Sequence, residues 1–146
     1  MDAAELLGGP APFVIDTSAW ARLPKAPADL LQKVQRAVID DRVWITPICR
    51  MEILFTARNH SEYVTLEGQL DLLRILRNDR AVADAAMRAV ADLAVRGSGY
   101  HRLPFTDALI AAGASEHGGV AVLHHDVHFD RLAEVLVFDS VRLPAP

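Results

Sequence analysis

The strongest constraint on the fold is a set of short apolar runs that do not alternate with polar residues: Phe13-Val14-Ile15, Val43-Trp44-Ile45-Thr46 and Val120-Ala121-Val122-Leu123. A strand with one wet face would alternate. A strand covered on both faces reads as continuous hydrophobicity, as in a parallel sheet flanked by helices. Helical segments fill the intervals. Residues Ala28 to Asp40 place Leu30, Leu31, Val34, Val38 and Ile39 near helical spacing. Pro47 opens a helix that runs to about Asn59, at a position that tolerates its missing N–H. Ser61 to Leu72 follows with Ser61 as its cap, and Asp79 caps an alanine-rich helix from Arg80 to Val95 that Gly97-Ser98-Gly99 ends. Thr106-Asp107 leads into a helix from Ala108 to Glu116, and a short helix spans Phe129 to Ala133. Further strands are expected at Leu73 to Leu76 and Val135 to Phe138. Strands alternating with helices imply crossover connections, so the expected fold class is α/β. It takes the form of a three-layer α/β/α sandwich with a mainly parallel central sheet, residues 1–146 making a single domain. Met1 to Pro12 and Leu143 to Pro146 read as loosely held ends.

Composition narrows the function classes. An apolar fraction of 51% is ample for a core in 146 residues. No apolar run reaches the roughly 18 residues of a membrane helix, so a mean hydropathy of +0.17 points to an apolar partner surface. Cys49 has no internal disulfide partner and the N-terminal stretch is acidic where a secretory signal is basic, so a reducing cytoplasm is the expected location. A net charge of −4 argues against a protein that coats nucleic acid non-specifically, since such coating rewards a broad cationic face. Thirteen of the fifteen basic residues are arginine, which forks onto phosphates or stacks on bases, although GC-rich coding produces the same bias.

Four acids carry the chemistry. In open parallel sheets the functional crevice lies beyond the carboxyl ends of the strands. Asp16 closes the first strand, Glu52 lies on the helix after the second, Asp107 starts a helix, and Asp126 follows the strand 120–123. Each has a plainer reading alone: Asp16 as a turn former, Glu52 as a solvated helix residue, Asp107 as a favourable charge on a helix dipole, Asp126 as loop polarity. Crowded together, carboxylates repel one another unless a cation holds them. Mg²⁺ or Mn²⁺ fits oxygen ligands and keeps positions open for a phosphate oxygen and an attacking water, which points to metal-assisted phosphodiester hydrolysis. His124, His125 and His128 surround Asp126, but without a nearby cysteine they favour a phosphate or base contact over a dedicated zinc site. Arg22, Arg50, Tyr100, His101 and Arg102 are candidates for the rim of an RNA site, or ordinary surface residues. A receiver domain is excluded because the lysines stand only at 25 and 33. A haloacid-dehalogenase phosphatase is disfavoured because position 18 is serine, and the chain lacks a phosphate-binding Gly-rich loop ending in Lys-Ser/Thr.

The segments Val14-Ile15-Asp16-Thr17-Ser18, Thr46-Pro47-Ile48-Cys49-Arg50-Met51-Glu52, Thr106-Asp107-Ala108-Leu109-Ile110-Ala111-Ala112 and Val122-Leu123-His124-His125-Asp126-Val127-His128-Phe129, in that order and spacing, resemble the PIN domain. Within that family they look like the VapC-type toxins of bacterial toxin–antitoxin pairs, and the resemblance covers Phe13 to Val141. It implies that Asp16, Glu52, Asp107 and Asp126 bind Mg²⁺ or Mn²⁺, with Thr17 or Ser18 orienting the first carboxylate or a bound water. It further implies endonucleolytic cleavage of RNA, with tRNA or ribosomal RNA as targets, a cognate antitoxin that blocks the site, and a homodimer. The alternative is a non-catalytic PIN-like module that binds RNA or protein. The stretch Tyr63 to Leu76 with Val82 to Val95 is the expected groove for an antitoxin helix, core packing being its plainer reading. The family often carries a second acid two residues after the fourth, where this chain has His128. Asp130, His128 or no residue then supplies the extra contact, and a reduced affinity for a second metal ion is one outcome.

Overall fold

The first strand takes its place because Phe13, Val14 and Ile15 are each fully buried, as continuous hydrophobicity requires. A computed structural model describes residues 1–144. Along the chain run α1 (Ala3–Gly8), β1 (Phe13–Ile15), α2 (Thr17–Trp20), a 3₁₀ turn (Leu23–Lys25), α3 (Ala28–Ile39), β2 (Val43–Ile45), α4 (Pro47–Phe55) and α5 (His60–Leu70). Then come β3 (Arg74–Ile75), α6 (Arg80–Arg96), α7 (Phe105–Glu116), β4 (Ala121–His124), α8 (His128–Leu132) and β5 (Ser140–Arg142). The five strands form one parallel sheet in the order β3-β2-β1-β4-β5. In register, Phe13 stands between Val43 and Ala121, and Ile15 opposite Leu123.

The chain moves outward from β1 to β3 and then returns across the sheet to β4. Right-handed crossovers in opposite directions put their helices on opposite faces, which makes the three layers. Accordingly α3 packs with α1, while α7 packs with α6 and α8. The direction reverses at β1 and β4, so the crevice of an open parallel sheet belongs beyond the ends of these two strands.

Local chemistry fixes the helix starts. Thr46 caps α4 by accepting the Cys49 N–H at 3.2 Å, and Asp79 caps α6 by accepting from Val82 at 3.2 Å. Asn59, rather than the expected Ser61, caps α5, because its extended backbone lets the side chain accept the Glu62 N–H at 2.9 Å. α7 begins at Phe105, directly after Pro104, which sets Asp107 inside its first turn.

Two further expectations are corrected. The residues before Pro12, expected to be loose, contain α1, whose Asp2 and Glu5 form a reciprocal capping box and whose Leu6 and Leu7 are buried. Its end is held from a distance: the Arg42 guanidinium donates to the Leu6 and Leu7 oxygens of α1 at 2.8 and 3.1 Å and to the Ala11 oxygen beyond it at 3.1 Å. The last strand is Ser140–Arg142 and not Val135 to Phe138. The N–H groups of Val135 and Leu136 bond back to Leu132 and are spent on the turn that ends α8. Val137 is exposed, with its carbonyl packed so closely on Gly119 that a Cβ there would lie 2.8 Å from it. At the C-terminal end Leu143 is buried and donates to His124 O at 2.7 Å; residues 145 and 146 lie outside the described residues.

Candidate active site

Asp16 leaves β1 as the cap of α2 and is almost wholly buried. Its Oδ2 accepts the Ser18 N–H at 3.0 Å and the Ser18 hydroxyl at 2.6 Å. The same hydroxyl accepts the His125 N–H at 2.9 Å, joining the loop after β1 to the loop after β4. Thr17 turns the other way and donates to Glu52 Oε1 at 3.0 Å. The adjacent hydroxyls therefore serve different acids, Ser18 orienting the first and Thr17 the second.

Glu52 stands half-buried on α4, its carboxyl pushed up by burial and by the charge of Asp16, with the Thr17 hydrogen bond opposing. Cys49 lies one turn earlier on the same helix face, fully buried, with Sγ 3.8 Å from both Ile15 O and Asp16 Oδ1. Burial, then the Asp16 charge, push its thiol up to about 12, so it is a protonated weak donor toward Asp16. Sequence reasoning passes over this residue as part of the site, although the spacing from 49 to 52 is the helical signal that puts both on one face.

Asp107, 8% exposed, enters from the first turn of α7. Burial first and the Asp16 charge second push its carboxyl up to about 6, the hydrogen bond from His128 working against them and the Asp126 charge adding to them. Asp126 follows β4, half-buried, its Oδ1 accepting the His128 N–H at 3.1 Å. The His128 ring lies over this pair, with Nδ1 3.1 Å from Asp107 Oδ2 and 2.9 Å from Asp126 Oδ1. All four acids named from the sequence thus gather at the strand-order reversal. Ligand atoms of Asp16, Cys49 and Glu52 fall within 4.8 Å of one another, as do those of Asp107, Asp126 and His128.

The three histidines part ways. His124 is fully buried; its Nδ1 accepts the Asp126 N–H at 3.1 Å, which leaves Nε2–H to donate to Ser140 Oγ at 2.7 Å. Burial holds this ring below the usual histidine range. His125 Nδ1 meets Leu143 O at 3.0 Å. Only the His128 ring reaches these four acids, while Asp130 turns to Ser140 at 2.7 Å and Arg142 at 3.7 Å. Among the rim candidates, Arg50 is held by Asp71 at 2.8 Å, and Tyr100 by Glu134 at 2.5 Å with Arg131 over its ring. Arg22, His101 and Arg102 are exposed. α6, one wall of the groove expected for an antitoxin helix, packs on α7. An apolar cavity of about 350 Å³ lies between those two, lined by Ala83, Met87, Val90, Phe105 and Leu109 among others.

The donor set fits a hard divalent cation. It is dominated by carboxylate oxygens, and two of the acids have their proton affinity raised by burial and by their neighbours' charge. That is the strain expected of an anionic cluster short of positive charge.

Comparison with known proteins gives the family. The PIN domain family model matches residues 13–135. The chain is 32% identical over 128 residues to ribonuclease VapC17 of Mycobacterium tuberculosis, covering 84% of this chain and 88% of that protein. In structure it is similar to DNA-bound VapBC from Salmonella typhimurium, with a TM-score of 0.70 and 20% identity over 91% of this chain and 98% of that one. It is also similar to VapBC-5 of Mycobacterium tuberculosis, a member of the VapBC family of toxin–antitoxin systems, with a TM-score of 0.65 and 23% identity over 92% and 100% of the two chains.

Proposed function

The chain belongs to the PIN domain family, and from that premise we propose that it is a divalent-metal-dependent endoribonuclease acting as the toxin of a toxin–antitoxin pair. The observation that carries the reading is the cluster centred on Asp16, whose charge reaches Glu52, Cys49 and Asp107 together. Asp16, Glu52, Asp107 and Asp126 would hold Mg²⁺ or Mn²⁺. When bound, the ion supplies Lewis acidity toward a phosphodiester oxygen and lowers the pKa of an attacking water. The chain's own groups set the stage for it. Ser18 and Thr17 fix the first two carboxylates with hydroxyl hydrogen bonds, and His128 ties the other two. Cys49, kept protonated, adds no negative charge to the cluster.

RNA would meet the exposed Arg22, His101 and Arg102, and a tRNA or ribosomal RNA target is part of this reading. An antitoxin would silence the enzyme by covering exposed apolar surface, of which Met87 and Phe105 beside the α6–α7 cavity are examples. A cytoplasmic homodimer completes the proposal.

The test incubates the purified chain and Asp16→Asn with total cellular RNA under Mg²⁺, Mn²⁺ or EDTA, and sequences new 5′ ends. Discrete metal-dependent cuts, lost in the variant, are the expected result. Intact RNA in every arm, with no metal binding, would replace the nuclease by a binding module.

A further inference from the structure

We infer that Ser140, on the last strand, is a positioning residue for Asp126 and acts through the buried ring of His124. The inference rests on the metal-dependent reading above and adds to it a residue outside the acidic cluster. Ser140 also stands outside residues 13–135, the span that the family model matches, so the family likeness assigns it no role.

The line of contacts starts at a donor that cannot change. The backbone N–H of Asp126 points at His124 Nδ1, 3.1 Å away, so that nitrogen accepts. On the opposite edge of the ring Nε2 lies 2.7 Å from Ser140 Oγ, and the Ser140 hydroxyl donates to Asp130 Oδ1 at 2.7 Å. Oγ therefore accepts from the ring, and three hydrogen bonds run in one direction from the Asp126 backbone to the Asp130 carboxyl group. Both ring nitrogens are spent on protein groups, so His124 holds the loop and is not itself a ligand.

The ring is fully buried and stacks on Phe129, with centroids 5.1 Å apart. The segment of β5 grips the same loop again: Leu143 N–H donates to His124 O at 2.7 Å, and Leu143 O lies 3.0 Å from His125 Nδ1. Asp126 thus takes its place from two sides. Its side chain is fixed at the start of α8, where Oδ1 accepts the His128 N–H at 3.1 Å, and its backbone is fixed from β5. Removing the serine hydroxyl takes the acceptor from a buried N–H, a loss the ring relieves by turning toward Asp130 Oδ1, 3.8 Å from Nε2. That turn withdraws Nδ1 from the Asp126 N–H and loosens the loop that carries the fourth carboxylate.

Wild type, Ser140→Ala and Ser140→Thr are compared by amide hydrogen exchange of the metal-free proteins in nuclear magnetic resonance. They are also titrated with Mn²⁺, the free ion being counted by electron paramagnetic resonance, with circular dichroism as the check on folding. Ser115→Ala is the control, because Ser115 accepts the Val137 N–H at 3.3 Å in the same C-terminal segment and has no bond to His124. The wild-type Asp126 amide is expected to be protected. In Ser140→Ala it should exchange roughly 2–10-fold faster, and Mn²⁺ should bind roughly 10–100-fold more weakly. Ser140→Thr, which keeps the hydroxyl, should restore both, and Ser115→Ala should match the wild type in both. Ser140→Cys, which fills the same space with a weak acceptor, replaces the alanine variant if that chain does not fold, with the same expectations. An unprotected Asp126 amide in the wild type would overturn the inference. So would a folded Ser140→Ala that keeps either wild-type value, or an equal loss in Ser115→Ala. No Mn²⁺ on the wild type would overturn the metal-dependent reading itself, and the exchange of the Asp126 amide then decides the inference alone.

Discussion

Replacing Asp107 by asparagine should stabilise the metal-free protein at neutral pH, although it removes a charged hydrogen bond. Asp107 is 8% exposed, and its carboxyl is raised from 3.8 to about 6 by burial and by Asp16 and Asp126, after the His128 bond has offset part of that rise. Converted at 1.36 kcal/mol per pH unit, the ionised group costs the fold roughly 3 kcal/mol above pH ~6. The folded chain holds this proton to higher pH than the unfolded chain does, so between about pH 4 and 6 it binds more protons when folded. Stability on this account falls as pH rises through that window. Asparagine carries no charge at any of these pH values and its Oδ1 still accepts from His128. Urea unfolding in EDTA should then give a wild-type curve that loses about 3 kcal/mol, relative to Asp107→Asn, between pH ~4 and ~6.5. Near neutral pH the variant should melt roughly 6–12 °C higher. Saturating Mn²⁺ should reverse the order, because the ion stabilises only the chain that binds it well. Parallel stability curves for the two proteins across this pH range would refute the claim that the cluster is strained by its own charge.

Two further outcomes follow from the same geometry. Ser18→Ala removes the 2.6 Å bond to Asp16 and the acceptor for the His125 N–H. It should cost about 1–3 kcal/mol in urea unfolding and weaken Mn²⁺ binding by roughly 10–100-fold, with Ser18→Thr restoring most of both. Cys49, buried and with its thiol pushed up to about 12, should resist iodoacetamide in the native protein at pH 8 and react fully in denaturant. Rapid native labelling, read by intact mass, would show that the thiol is neither buried nor protonated.

How far the sequence could be read depended on whether a signal was local. β1, β2 and β4 were legible because full burial on both faces leaves no alternation, and Asp16 was conspicuous as an acid closing such a run. β5 was misplaced because Val135 to Phe138 is the more apolar segment, whereas the true strand, Ser140–Arg142, declares itself only through a buried Val141 between less buried neighbours. The difference was decided by the hydrogen bonds that end α8. α1 did carry its capping-box residues, Asp2 and Glu5, but what secures it is Arg42, more than thirty residues away. In the site, the four acids were named from their places after the strands together with the resemblance to the family. The separate partners of Thr17 and Ser18, the thiol of Cys49 and the bridging ring of His128 are facts of direction, which spacing along a chain does not encode.

The bond between Ser18 and the His125 backbone spans 107 positions, and β1 pairs on one side with a strand that begins at residue 121. Contacts of such sequence separation form late, because loop closure must precede their reward. During synthesis, then, Asp16, Glu52 and Asp107 all exist before the segment that completes their cluster. Until residues 121–126 have left the ribosome, β1 presents an open edge and Ser18 has no backbone partner across the crevice. A nascent chain of this design completes its acidic cluster only when that last segment docks.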